Sequence, residues 1–165
     1  MKNIKISLLL ISSLAFASTA TIAEVAYGDN SAEQAAVSSV EASKQDMLVK
    51  LNKACGTQVA ATIQWKSYAG FSKADLHDRT LDNVYQIVDS QALDVLHHIA
   101  SGCESDTFYK KNVAKKLKNI IFTPVKGEVS LKNPSHNYKL ANGTLNVNYN
   151  FETSNDSINE VRKIF

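Results

Sequence analysis

Two cysteines, four histidines and one dense run of lysines are the residues of this 165-residue chain whose types and spacing bear on chemistry. Cys55 and Cys103 are too far apart for a Cys-x-x-Cys redox motif and, as a lone pair, too few for a structural zinc site unless histidines join them. In an oxidising compartment such a pair reads as one disulfide, closing a loop of about 50 residues that stabilises the fold by about 4 kcal/mol on chain-entropy grounds. Two buried free thiols are the alternative. His77 stands between Asp75 and Asp78 in a polar stretch, where flanking carboxylates can orient an imidazole as a base, so these three are the candidates for catalysis. The plainer account of His77 is a solvated loop histidine. His97 and His98 are adjacent, point about 100° apart on a helix and do not chelate one ion as an i, i+4 pair does. Asp94 and His98 have that spacing and read as an exposed helical pair; His136 opens a strand without a marked partner. No nucleophile elbow, zinc-protease helix, phosphate-cradling glycine loop or EF-hand loop is present, so no metal and no cofactor is assigned.

Lys110, Lys111, Lys115, Lys116 and Lys118 surround the apolar side of a short predicted helix, as a solvated face does. The functional alternative is a patch for an acidic partner, a lipid headgroup or a cell-envelope polymer, which salt would weaken. Lysine without interleaved aromatics or arginine argues against recognition of nucleic-acid bases. Lys111, Lys115 and Lys118, spaced to share one helix face, are candidate binding residues. So are Asn146, Asn148 and Asn150, which alternate with apolar residues and are expected on the outer face of a hairpin.

The elements that must position these residues follow from apolar spacing. Asn30 or Ser31 caps a helix, Glu33 and Gln34 are placed for a capping box, and Gly56 supplies a left-handed residue past its end. Between them Val37, Val40, Met47, Leu48 and Leu51 recur at three- and four-residue steps into Cys55. A second stripe, Leu81, Tyr85, Val88, Ala92, Val95 and Ile99, follows Thr80 as a cap and runs into Cys103, with Gly102 interrupting it. Two helices whose apolar faces both finish at a cysteine predict a packed pair tied near its C-terminal ends.

Val59, Ala61, Ile63 and Trp65 alternate with Gln58, Ala60, Thr62 and Gln64 as in a half-buried strand, and 66–79 reads as a polar loop. A shorter helix from Ser105 or Asp106 buries Tyr109, Val113 and Leu117. It feeds a strand from Ile120 to Val125, in which Pro124 argues for an edge position or a bulge. Asn142-Gly143 predicts a type I′ turn that pairs Leu140 with Leu145, Tyr138 with Val147 and His136 with Tyr149. A last helix from about Ser157 has Glu160 in a capping box and Ile158, Val161, Ile164 and Phe165 on one side. The order α-β-α-α-β-β-β-α predicts an α+β domain, an antiparallel sheet of about four strands with helices on one face.

Lys2 and Lys5, an apolar run from Ile6 to Ala17 and small residues from Ser18 to Ala23 have the make-up of a secretory signal peptide, shorter than the roughly 20 residues of a membrane span. Cleavage after Ala23 divides the chain into a signal peptide over 1–23, a flexible leader over 24–30 and one domain over 31–165. The start resembles bacterial leaders, so the expected address is periplasmic or extracellular. Of 18 basic residues, Lys2 and Lys5 are the only charged residues in 1–23; without them the remainder balances the 16 acids. The net charge of +2 is therefore no sign of nucleic-acid or anionic-membrane binding.

Ala54-Cys55-Gly56, the strand ending at Trp65, the second cysteine after a helix, and Asn142-Gly143-Thr144-Leu145 followed by Phe151 and Ser154-Asn155-Asp156 resemble a set of small exported bacterial proteins of unknown function. The resemblance implies one exported domain and no activity. The expected function is non-covalent binding to an envelope partner, a toxin or an enzyme. A small hydrolase using the loop around His77, and a structural or stress-related envelope protein, are the alternatives.

Overall fold

Apolar residues at helical spacing make two long helices of equal length, α1 (Ser31–Cys55) and α2 (Leu81–Ser105), each of 25 residues. The computed structural model describes residues 31–76, 78–126, 137–150 and 158–165. The helices lie side by side and point the same way: Ser39 and Val40 face Tyr85 and Asp89 at one end, and Cys55 is bonded to Cys103 at the other, with Cα atoms 5.1 Å apart. Gly56 ends α1 at φ +67°, where its N–H and that of Thr57 return to the Asn52 carbonyl. Thr80 caps α2 through the Asn83 N–H, and Asp106 caps α3 (Thr107–Lys116) through the N–H groups of Phe108 and Tyr109. Gly102 is required by packing. A Cβ there would meet the Tyr109 ring at 2.6 Å.

The sheet is β1 (Ala60–Ile63), β2 (Asn119–Pro124), β3 (Tyr138–Ala141) and β4 (Thr144–Tyr149), in the order β1-β2-β4-β3. It is mixed, which corrects the antiparallel expectation: β1 and β2 are parallel, β2 and β4 are parallel, and only β3 and β4 are antiparallel. The reason is α2, which carries the chain back to the starting end of β1 before β2 begins, as a parallel crossover must. The hairpin has the expected register, Leu140 opposite Leu145 and Tyr138 opposite Val147, around Asn142 and Gly143 at φ +50° and +80°.

One sheet face is buried. Ile120 and Leu145 lie in one cross-strand row, and Ile63, Phe122, Val147 and Tyr138 in the next. With the apolar faces of α1 and α2 they make a continuous core, in which a buried Leu or Phe contributes about 1.5–3 kcal/mol. The opposite face carries Ala60, Thr62, Asn119, Lys139 and Asn148 exposed. Pro124 ends a central strand rather than sitting in an edge strand. Phe122 accepts from the Gln64 N–H on the β1 side, so two residues on the proline nitrogen faces that same side, where β1 has already ended.

Two further expectations change. The stretch 66–79 is not wholly a polar loop: a 3-10 helix, Trp65–Gly70, turns Tyr68 inward until it is 1 % exposed, and Leu76 is buried beyond it. The last helix is a 3-10 helix, Ile158–Ile164, with Val161 buried and Phe165 set edge-on against the Tyr109 ring at 5.8 Å. The expected signal peptide and leader, His77, His136, Phe151 and Ser154-Asn155-Asp156 lie outside the described residues. Among those described, no helix is long and apolar enough to cross a membrane.

Candidate functional site

The disulfide draws together lysines that are distant in sequence. Lys50 and Lys53, in the last turns of α1, meet Lys110 of α3 around a hollow of about 610 Å3 that Cys103, Glu104 and Thr107 also line. Lys110 lies over the end of α1, its Cε 3.7 Å from where Gly56 would carry a Cβ. At the other end of α3, Lys115, Lys116 and Lys118 line a second hollow of about 360 Å3 with Leu140 and the turn residues Asn142 and Gly143. The Lys118 and Asn119 N–H groups both donate to the Gly143 carbonyl, fixing the hairpin turn against the end of α3. Six lysines and one carboxylate, Glu104, thus line the two hollows, with Lys111 exposed between them. None of the ion pairs among the described residues uses any of these lysines.

This arrangement revises the predicted surfaces in three ways. Lys111 and Lys115 share the outer face of α3, but Lys118 lies beyond the helix, beside the hairpin turn. Lys50 and Lys53 belong to the same end as the predicted lysines. A signal for them was present, since the inferred disulfide places the last turns of α1 next to the start of α3. Finally, Phe108 stands 72 % exposed among the lysines, so the cluster does contain an aromatic side chain.

The asparagines divide. Asn148 is exposed on the open sheet face, and Asn146 is half-buried with its Nδ2 3.5 Å from the Lys139 carbonyl. Asn150 is 1 % exposed and lies past the end of β4, so it is no part of an outer face. Strand alternation stops predicting direction where the strand stops.

The catalytic candidates are placed only in part. Asp75 accepts from the Ser72 N–H at 2.7 Å and the Ser72 hydroxyl at 2.8 Å, and Lys126 approaches it at 3.4 Å. The Ser72 backbone and hydroxyl bonds, helped by Lys126, hold its carboxyl below the usual range. Such a carboxylate closes a turn and is a weak base. Asp78 is exposed with φ +54°.

His98 is half-buried rather than exposed. Its Nδ1 is enclosed without a hydrogen-bond partner, and burial pulls its pKa down, aided by Arg162 and His97 and opposed by Asp94. Arg162 itself donates to the Ser101 hydroxyl at 2.9 Å, joining the C-terminal 3-10 helix to α2. Among the described residues no group of three or more His, Cys, Asp or Glu side chains is placed to hold a metal ion.

A third hollow, of about 290 Å3, opens between the first halves of α1 and α2 and is lined by Ser39, Tyr85, Gln86 and Asp89. Burial pushes the Asp89 carboxyl up, against a hydrogen bond from Ser43, and its Oδ1 is enclosed without a partner. Asp89 shares the hollow with Tyr85 but with no histidine, cysteine or lysine, so the lining offers no nucleophile–base constellation. The lysine-bearing end is the larger and chemically more coherent site. No protein-family model, curated protein or solved structure matches the chain.

Proposed function

We propose that this protein acts by non-covalent binding, as an exported protein whose lysine-bearing end receives an anionic partner. The observation that carries this is the gathering of six lysines and a single carboxylate around two hollows on either side of α3. Like charges held close oppose the fold, and a partner that neutralises them is rewarded accordingly. Part of the cluster has a structural reason: Lys53, and Lys115 with Lys116, sit in the last turns of α1 and α3, where a cation offsets the helix dipole. Lys50, Lys110, Lys111 and Lys118 have no such reason. The near-neutral balance of the chain after cleavage hides this polarity because acids predominate elsewhere. Export is supported by the make-up of residues 1–23 and by a disulfide, which persists in oxidising compartments.

The test is retention on an immobilised polyanion, heparin, across a salt gradient. The wild type is expected to bind at low salt and the Lys50→Glu, Lys110→Glu, Lys118→Glu triple variant to elute early. A Lys66→Glu, Lys73→Glu, Lys139→Glu variant carries the same charge change elsewhere and is expected to elute later than the first. Equal elution of the two triple variants, or no retention of the wild type, refutes the proposal. N-terminal sequencing of exported protein checks the address, with Glu24 the expected first residue.

A further inference from the structure

We infer that the anionic partner is a lipid surface, with α3 as the element that meets it; this rests on the binding proposed above and names its partner. The form of the site decides between partners. Tyr109 and Val113 bury one side of α3. Phe108, Lys111 and Lys115, related by steps of three and four, therefore stand on the opposite side, away from the core. Lys110 lies on one flank and reaches into the larger hollow, while Lys116, three residues past Val113, ends the helix on the core side and lines the hollow beside the hairpin turn. α3 is thus a ridge with lysines along its crest, down one slope and at its C-terminal end. A linear polyanion follows a groove, whereas a convex ridge offers its crest to a plane.

The residue types point the same way. Phe108 is 72 % exposed, the more exposed of the two large apolar side chains that face water among the described residues. Asp106 fixes its position by accepting from its N–H at 2.7 Å. An aromatic ring held out between cations enters the headgroup layer while the lysines stay at phosphate depth. The site has lysine and no arginine. Lysine is a compact charge on a mobile stem that imposes no bidentate geometry, which suits a fluid array of phosphates better than one fixed acidic epitope.

Co-sedimentation with vesicles tests this, using phosphatidylcholine alone and phosphatidylcholine with one quarter phosphatidylglycerol. The protein is expected on the anionic vesicles only, and released by salt. Phe108→Ala, at a position exposed enough to leave folding intact, is expected to lower partitioning about tenfold. Phe108→Trp is expected to shift its emission to the blue on anionic vesicles and not with heparin; the single native tryptophan, Trp65, is buried and provides a constant background. Heparin retention without vesicle binding, or vesicle binding indifferent to Phe108→Ala, overturns the lipid inference and leaves the anion-binding proposal standing. Failure to bind either probe overturns both.

Discussion

The two ends of the helix pair are held by different physics. Where α1 and α2 finish, a covalent bond joins Cys55 to Cys103, and the surrounding lysines face water with no ion pair among the described residues. Toward the other end several polar side chains are turned inward and engaged, Asp89 Oδ1 excepted. Trp65 Nε1 donates to Glu41 Oε1 at 2.7 Å, buried Lys44 bonds the other Glu41 oxygen, and the Tyr68 and Tyr149 hydroxyls bond each other inside the core. Trp65 stacks on Tyr68 at 5.7 Å and tilts against Tyr85 at 6.1 Å. Charge is bound into the structure at one end; at the other, apart from Lys53, Lys115 and Lys116 at helix C-termini, it is spared from that task. Such freedom is what a binding surface needs, since a lysine already committed to a carboxylate has less to gain from a ligand.

The largest expected effect of breaking this contrast falls on the covalent end. Replacing both cysteines by serine is expected to lower unfolding free energy by about 2–5 kcal/mol in denaturant titrations, the usual loss for a native disulfide in a small exported domain. Cys55 and Cys103 are both buried, so part of the loss comes from burying hydroxyls in their place.

The polar end is expected to lose less per change. Glu41→Ala removes an acceptor used by both Trp65 and Lys44 and leaves a buried ammonium without its carboxylate, for which about 2 kcal/mol is expected. Glu41→Gln keeps an acceptor for Trp65 and is expected to lie between. Trp65 fluorescence reports both variants directly.

Tyr149→Phe removes one member of the buried hydroxyl pair, at about 1 kcal/mol. Burial pushes the Tyr149 hydroxyl far above the ordinary tyrosine range, and the Tyr109 hydroxyl up to about 12. Above pH about 10 the unfolded chain releases these protons while the folded protein keeps them, so stability falls as pH rises from there. The alkaline slope is expected to be shallower in Tyr149→Phe, and an unchanged slope counts against the buried pair.

How much of this was legible in the sequence depends on the range over which each feature is decided. The three α-helices, the caps at Thr80, Asp106 and Gly56, the disulfide and the described hairpin register rest on spacings of two to four residues or on one turn dipeptide, and they appear where the spacing puts them. Strand direction does not rest on spacing, because a period of two is the same in parallel and antiparallel ladders; the clue was the 25-residue helix between β1 and β2, long enough to return the chain. Tyr68 stands among Lys66, Ser67, Ala69 and Gly70, and its bonded partner Tyr149 is 81 residues away. The lysine site was legible as a cluster from 110 to 118 but not as a site, because Lys50 and Lys53 join it only through the fold.

The smallest effect sharpens the comparison most. If the lysines around α3 are spared from structural duty, Lys50→Ala, Lys110→Ala and Lys118→Ala should each change stability by no more than about 0.5 kcal/mol, the range of exposed substitutions with no buried partner. Two opposed terms set the sign. Removing one positive charge relieves repulsion from its neighbours and favours the fold. Lys53, in the last turn of α1, also offsets the helix dipole, so Lys53→Ala is expected to cost about 0.3–1 kcal/mol at low salt and less as salt rises. The four variants should therefore separate in denaturant titrations at low ionic strength and converge at high ionic strength, while the Glu41→Ala loss, which concerns a buried ammonium, persists at both. A salt-resistant loss of more than about 1 kcal/mol in Lys50→Ala, Lys110→Ala or Lys118→Ala would show that residue to be structural and remove it from the binding surface.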